Sequence, residues 1–371
     1  MIRRTARTVA AVGLLTGLLI GFPATADASA PAARCRDLTV SVSLAHGQPA
    51  RDRIWGRLCT PAHRPAATVQ VLIPGLNYSH VYWDFPYQPG RYSYVRRANE
   101  AGYATFDLDR IGIGRSSHPA GDEVTLESNA YTIHQVVAAL RGGAIAGRGF
   151  GTVVLVGHSY GSEIAKLESA TYRDADALVL TGSAHTISAT AQQGLAQLGQ
   201  PVDQVPRLAA EVPAGDDGYV TVQDAQRPAF MYNVTDADPR VIALDIATKE
   251  TNTLGELRTI GDANAPDVTA QITAPILIAD GADDRLACAP DATDCTSAAT
   301  LAAAERPFYP RSRVDALVIP RAGHAINLHR NADLAYRGVI AWTRHALGAR
   351  TASEQSSRLG ALNQGRGRRD E

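Results

Sequence analysis

The segment that most restricts the fold of this chain runs from Thr152 to Gly161. Thr152-Val153-Val154-Leu155-Val156 is a run of β-branched residues and one leucine, the character of a central parallel strand buried on both faces. Gly157-His158-Ser159-Tyr160-Gly161 follows at once, and a helix is expected to begin near Ser162. A chain that passes from buried strand to helix so quickly must turn sharply at Ser159. That residue takes strained dihedrals, and only small residues fit two positions to either side. The hydroxyl then stands at a helix N-terminus, where backbone N–H groups and the helix dipole favour developing negative charge. A bare G-x-S-x-G is common by chance, but its place between strand and helix makes Ser159 a candidate nucleophile rather than a turn serine.

The rest of the chain alternates β-rich runs with helical stretches, the pattern of an α/β fold with a mostly parallel sheet flanked by helices. Leu38–Leu44 and Ile54–Cys59 read as a hairpin, and Val69–Ile73 as a buried strand ended by Pro74-Gly75. Tyr103–Leu108, Thr152–Val156, Ala177–Leu180, Ile276–Ala279 and Ala316–Ile319 complete a set of eight strands. Between Ser183 and Pro275 lie about 90 residues, whereas α/β connections usually take ~2–6. Asp238 as N-cap and Pro239 at the first helical position open a helix toward Glu250. Residues 185–270 are therefore expected to form an inserted helical cap, dividing the α/β core into 27–184 and 271–350. Residues 351–371 are polar and rich in Gly and Arg, and are expected to form a disordered tail.

The N-terminus reads as an export signal. Arg3, Arg4 and Arg7 precede an uncharged apolar run, Val9 to Phe22, and Ala24-Thr25-Ala26 supplies a small-residue cleavage site. The run has 14 residues, short of the roughly 20 that span a bilayer. Cleavage after Ala26 removes three arginines and no acid, which takes the net charge from −1 to −4. The mature chain is thus expected to be secreted, soluble and without a membrane anchor. It lacks the basic stripe that nucleic acid would require. Four cysteines in such a chain suggest two disulfides. Three connectivities are open, and Cys35–Cys59 with Cys288–Cys295 is favoured because each pair is local.

From Val69 to Leu347 the sequence resembles the α/β-hydrolase family. The resemblance rests on the Gly157–Gly161 motif and on Asp107-Leu108-Asp109-Arg110-Ile111-Gly112-Ile113-Gly114-Arg115-Ser116 with Pro119, which is similar to the family's D-x-G-x-G-x-S-x-x-P loop. The family's His-Gly after the third strand stands here as Pro74-Gly75. The resemblance implies an acid and a base that follow the serine in the order Ser, Asp, His. His324, in Arg321-Ala322-Gly323-His324 beyond the last strand, is the expected base, with His329 its competitor and His158 a packing residue. Ala279-Asp280-Gly281-Ala282-Asp283-Asp284 resembles the family's G-x-x-D and selects Asp284, with Asp283 the near alternative. The backbone N–H groups of Tyr160 and Leu76 are the expected oxyanion donors, Asn77 being a second choice for the latter.

The chemistry this implies is hydrolysis of a small carboxylic ester or lactone, an apolar one if Phe230, Met231 and Tyr232 in the insertion line its pocket. Lipase, thioesterase, amidase and peptidase activities use the same groups. Epoxide hydrolases and dehalogenases of this fold carry Asp where Ser159 stands. A non-catalytic binding protein of the same fold is a further alternative, disfavoured by the complete Ser, Asp and His set. No metal or organic cofactor is implied; Asp283, Asp284, Asp291 and Asp294 cluster without EF-hand spacing.

Overall fold

A computed structural model describes residues 33–62 and 65–348. The proposed signal peptide and the whole of the proposed tail lie outside these residues. Eight strands form the main sheet: β1 (Arg34–Val42), β2 (Asp52–Thr60), β3 (Thr68–Ile73), β4 (Ala104–Leu108), β5 (Thr152–His158), β6 (Ala177–Thr181), β10 (Ile276–Gly281) and β11 (Val314–Ile319). Their order is β1-β2-β4-β3-β5-β6-β10-β11. β1 pairs antiparallel with β2, and β2 with β4; every pairing from β4 onward is parallel. The sequence reading placed all eight strands, with boundaries that differ by up to four residues.

The continuous apolar run of β5 is explained by two layers of packing. Val153 and Leu155 face one layer with Val69, Val71 and Leu178, against α2 (Leu126–Gly142) and α3 (Tyr160–Tyr172) through Ile133, Val137 and Ile164. Val154 and Val156 face the other, against α1 (Tyr94–Glu100) and the helix at 332–348 through Val95, Tyr336 and Val339. Both faces of the sheet are covered, so neither tolerates the polar alternation of a half-solvated strand. Cys35 sits opposite Cys59 in the β1–β2 ladder and is disulfide-bonded to it, and Cys288 is bonded to Cys295.

β6 and β10 are neighbours in the sheet although about 90 residues separate them. The intervening segment carries helices such as α4 (Pro239–Ala247), capped by Asp238 as expected, its side chain accepting from Arg240 N–H. It is not purely helical. β7 (Gly199–Pro201), β8 (Tyr219–Val222) and β9 (Asn252–Thr253) form a small antiparallel sheet. Strands of two to four residues leave too little periodicity to be read from sequence.

Candidate active site

The carboxyl ends of β3, β5, β6, β10 and β11 lie on one edge of the sheet, where parallel α/β folds gather their ligands. Ser159 stands between β5 and α3 with φ 51° and ψ −121°. Its N–H donates to Thr181 O at 2.7 Å, and its own carbonyl accepts from Ser162 and Glu163 N–H. A Cβ on Gly157 would lie 2.4 Å from Gly161 O, and one on Gly161 2.2 Å from Ile73 O. Backbone therefore closes the turn on both sides, and the helix starts at Tyr160, two residues earlier than the sequence suggested.

Asp284 follows β10, His324 follows β11, and His324 Nδ1 lies 2.8 Å from Asp284 Oδ2. Asp284 Oδ1 accepts from Leu286 and Ala287 N–H. Both side chains are buried. Burial raises a carboxyl and lowers an imidazole, but here the pair outweighs it. The His324 charge and hydrogen bond, helped by the two backbone donors, hold Asp284 below the usual carboxylate range. Asp284 in turn holds His324 above the usual histidine range. At the end of β6, a Cβ on Gly182 would lie 3.1 Å from His324 Cε1 and 3.0 Å from His158 Cε1. Since Ser159 N–H binds the preceding Thr181, serine and histidine flank the same strand end. Asp280, also buried there, accepts from Ser183 N–H and is pushed up to about 7 by burial and by Asp284.

The competing histidines and acid take other places. His158 stacks on Tyr82 with ring centroids 4.2 Å apart, bonds Thr181 Oγ1, and is kept neutral by burial. His329 is a backbone clamp: Nδ1 donates to Ala325 O, and Nε2 accepts from the N–H groups of Gly323 and Asn233. Asp283 accepts from Asn233 Nδ2 at 2.7 Å.

Neither the Tyr160 nor the Leu76 N–H has a hydrogen-bond partner among the described residues. The loop bearing Leu76 is held by its carbonyls. Arg110 donates to Pro74 O and Gly75 O, and Arg227 to Asn77 O. Both arginines are fully buried; Arg110 is paired with Glu256, and Arg227 is bidentate to Asp245. Asn77, at φ 59°, donates through its side chain to Glu250 O in the insertion. The sequence reading assigned no role to these arginines. Arg110 lies inside the Asp107–Ser116 motif, which was a usable signal, whereas Arg227 carried none.

Phe230, Met231 and Tyr232 pack into the core layer that contains Ala322 and Ala325. Met231 O accepts from Ala325 N–H, and the Tyr232 ring lies 5.5 Å from that of His329. A Cβ on Gly323 would lie 2.8 Å from the Tyr232 carbonyl carbon. The three residues thus support the His324 loop. One surface cavity of about 430 Å³ is lined by Cys35, Leu58 and Phe150, none of which belongs to these loops.

The sheet order, the elbow at Ser159 and the strand-end loops define a hydrolase-type α/β architecture. Residues 70–335 match the model of the alpha/beta hydrolase family, and the chain belongs to that family. Solved structures with the same fold include a candidate aryl esterase from Burkholderia cenocepacia (18% identity, TM-score 0.57, covering 84% of this chain and 100% of that one). An esterase from Exiguobacterium antarcticum is similar at 15% identity and TM-score 0.56, covering 79% and 96%. The enol-lactonase from Burkholderia xenovorans is similar at 16% identity and TM-score 0.53, covering 79% and 97%. No curated protein sequence matches the chain significantly.

Proposed function

We propose that this chain is a secreted serine hydrolase that cleaves a small carboxylic ester or lactone through an acyl-enzyme. The observation that carries the reading is the 2.8 Å hydrogen bond between buried Asp284 and His324, at the strand end flanked by the strained Ser159. Asp284 accepts Nδ1–H and so leaves Nε2 as the base. As Ser159 Oγ bonds the acyl carbon, its proton passes to Nε2 and the carbonyl electron pair moves onto oxygen. The free N–H groups of Tyr160 and Leu76 receive that oxyanion. Collapse breaks the ester bond, and Nε2–H protonates the departing alkoxide, which in a lactone remains tethered to the acyl chain. Water then repeats the sequence: it gives a proton to His324, its oxygen takes the acyl carbon, and Ser159 leaves with the proton.

The family membership supports hydrolysis, and the esterases and lactonase of the same fold favour an ester bond. Two disulfides favour an oxidising compartment, and no described helix is long and apolar enough to cross a membrane. The test is a fluorophosphonate probe followed by peptide mapping, then turnover of a panel of esters, lactones, thioesters and peptides. Label on Ser159, lost in Ser159→Ala together with about three or more orders of magnitude in kcat, is the expected result. Full turnover by Ser159→Ala, or label on another residue, rejects the assignment.

A further inference from the structure

A second cluster of ligating side chains lies far from the strand ends, where the C-terminal part of α3 packs on α2. Glu168 is nine residues beyond Ser159, roughly 14 Å along the helix. It is completely buried, and neither of its carboxylate oxygens has a hydrogen-bond partner among the described residues. Asp174, just past the helix end, has its Oδ1 buried and unpartnered as well. Its Oδ2 lies 2.8 Å from Nδ1 of His134 on α2. One ligand atom from each of the three residues lies within 4.8 Å of the other two. Donors ~2.0–2.2 Å from a common tetrahedral zinc stand about 3.3–3.6 Å apart, so these side chains need little movement to share an ion.

Charge points the same way. Arg141 spends its donors on Asp174 O, Gly151 O and the Asp176 carboxylate. Once Arg141 is set against Asp176, two carboxylates still face each other, and leaving a charge of that kind buried and uncompensated is expensive. A divalent cation balances both. The His134 ring is held for the purpose, stacked on Tyr172 at 3.9 Å between centroids and 14° between planes. His134 and Asp174 are each partly exposed, which gives an ion a route from solvent.

We propose that His134 Nδ1, Glu168 and Asp174 bind one divalent cation with the ligand preference of zinc, fastening α2 to the end of α3. One imidazole nitrogen with two carboxylates suits Zn²⁺ better than the all-oxygen shells of Ca²⁺ or Mg²⁺. Ligation requires the Nδ1 lone pair, so the bound imidazole carries its proton on Nε2. The competing arrangement is a proton shared between Glu168 and Asp174. Burial, together with Asp174, pushes the Glu168 carboxyl well above its ordinary range, and such a proton would relieve that without metal.

The test is calorimetric titration of chelator-treated full-length protein with ZnCl₂, with CaCl₂ as control, alongside thermal melts. The expected result is one equivalent of zinc bound and a raised Tm. Binding should weaken in Glu168→Gln and in His134→Asn by more than the roughly ten- to hundredfold that loss of an outer-shell partner costs. Neither residue belongs to the proposed active site, so both variants should keep their ester turnover. His134 is partly exposed, so His134→Asn serves if Glu168→Gln fails to fold. Equal zinc binding in wild type and both variants overturns the proposal. So does a wild type that binds no zinc, and if Glu168→Gln then melts at or above it the site belongs to the shared proton.

Discussion

Replacing His329 with Leu tests whether the loop bearing the proposed base is held by a histidine outside the chemistry. The ring fills one space between two segments. Its Nε2 accepts from Gly323 N–H at 3.0 Å and from Asn233 N–H at 3.1 Å, and its Nδ1–H donates to Ala325 O at 2.9 Å. Leucine fills similar volume but satisfies none of these groups. The Gly323 donor is buried and the Asn233 donor partly so. An orphaned buried group costs ~1–3 kcal/mol, so the variant should lose about 2–5 kcal/mol of stability. At roughly 2–4 °C per kcal/mol for a large domain, Tm should fall by about 4–20 °C. Gly323 immediately precedes His324, so kcat should fall by about a hundredfold for a displacement of ~1 Å, with KM nearly unchanged. Gln, whose amide oxygen reaches toward the Nε2 position, should recover part of both. Burial also depresses His329, so the folded state holds it neutral. Below about pH 6.5 the unfolded chain takes up the proton more readily. The stability that His329 contributes is therefore present above that pH and lost as pH falls, and the Leu variant should lose this slope. Chemical denaturation across pH, with steady-state kinetics, measures all of this. A Leu variant within about 0.5 kcal/mol of wild type with unchanged kcat would refute the clamp.

Asp284→Asn should lower kcat by about 10⁴-fold through the wrong imidazole tautomer. Asp283→Asn should cost little, because Asp283 reaches only Asn233; the opposite ranking in a kinetic comparison would exchange the two acids. Because Asp284 raises His324 and the base must be neutral, kcat/KM should climb with pH through an ionisation above the ordinary histidine value near 6.5. A pH–rate profile in which wild type and Asp284→Asn share the same midpoint would detach Asp284 from that ionisation.

The fold was legible because its signals are local. Five adjacent β-branched and leucine residues admit few structures other than a strand buried on both faces, and a serine between two glycines before a helix admits one kind of turn. A position for the proposed base was legible where the family order of residues supplies one, as with His324 beyond the last strand. What sequence did not disclose depends on contacts across long separations. Arg227 meets Asn77 across 150 residues, and His329 meets Asn233 across 96. Nothing near Arg227 in the chain announces a carbonyl that it must hold. His329 looked like a spare histidine because its role is to accept from backbone N–H groups, which leave no mark in side-chain identity. The small β7–β8–β9 sheet escaped for a different reason: strands of two to four residues are too short to carry a periodicity of their own.

These long-range contacts also change how the insertion should be understood. A segment of this length beside a proposed active site invites the picture of a lid that swings clear. Its hydrogen bonds argue against movement as one body. Asn77 and Arg227 tie it to the loop after β3, and Asn233, through Asp283, Arg321 O and His329, ties it to the loops after β10 and β11. Met231 O binds Ala325 N–H beside them. At ~0.5–1.5 kcal/mol net per bond, and more where a buried charge loses its partner, lifting the whole insertion would cost several kcal/mol. It would also release the Leu76 and His324 loops together. The same bonds that would resist opening set the geometry of the proposed oxyanion donor and base. The insertion is therefore better regarded as a wall of the frame around the proposed site, fixed through Arg227, Asn233 and Glu250 and again through the buried Arg110–Glu256 pair.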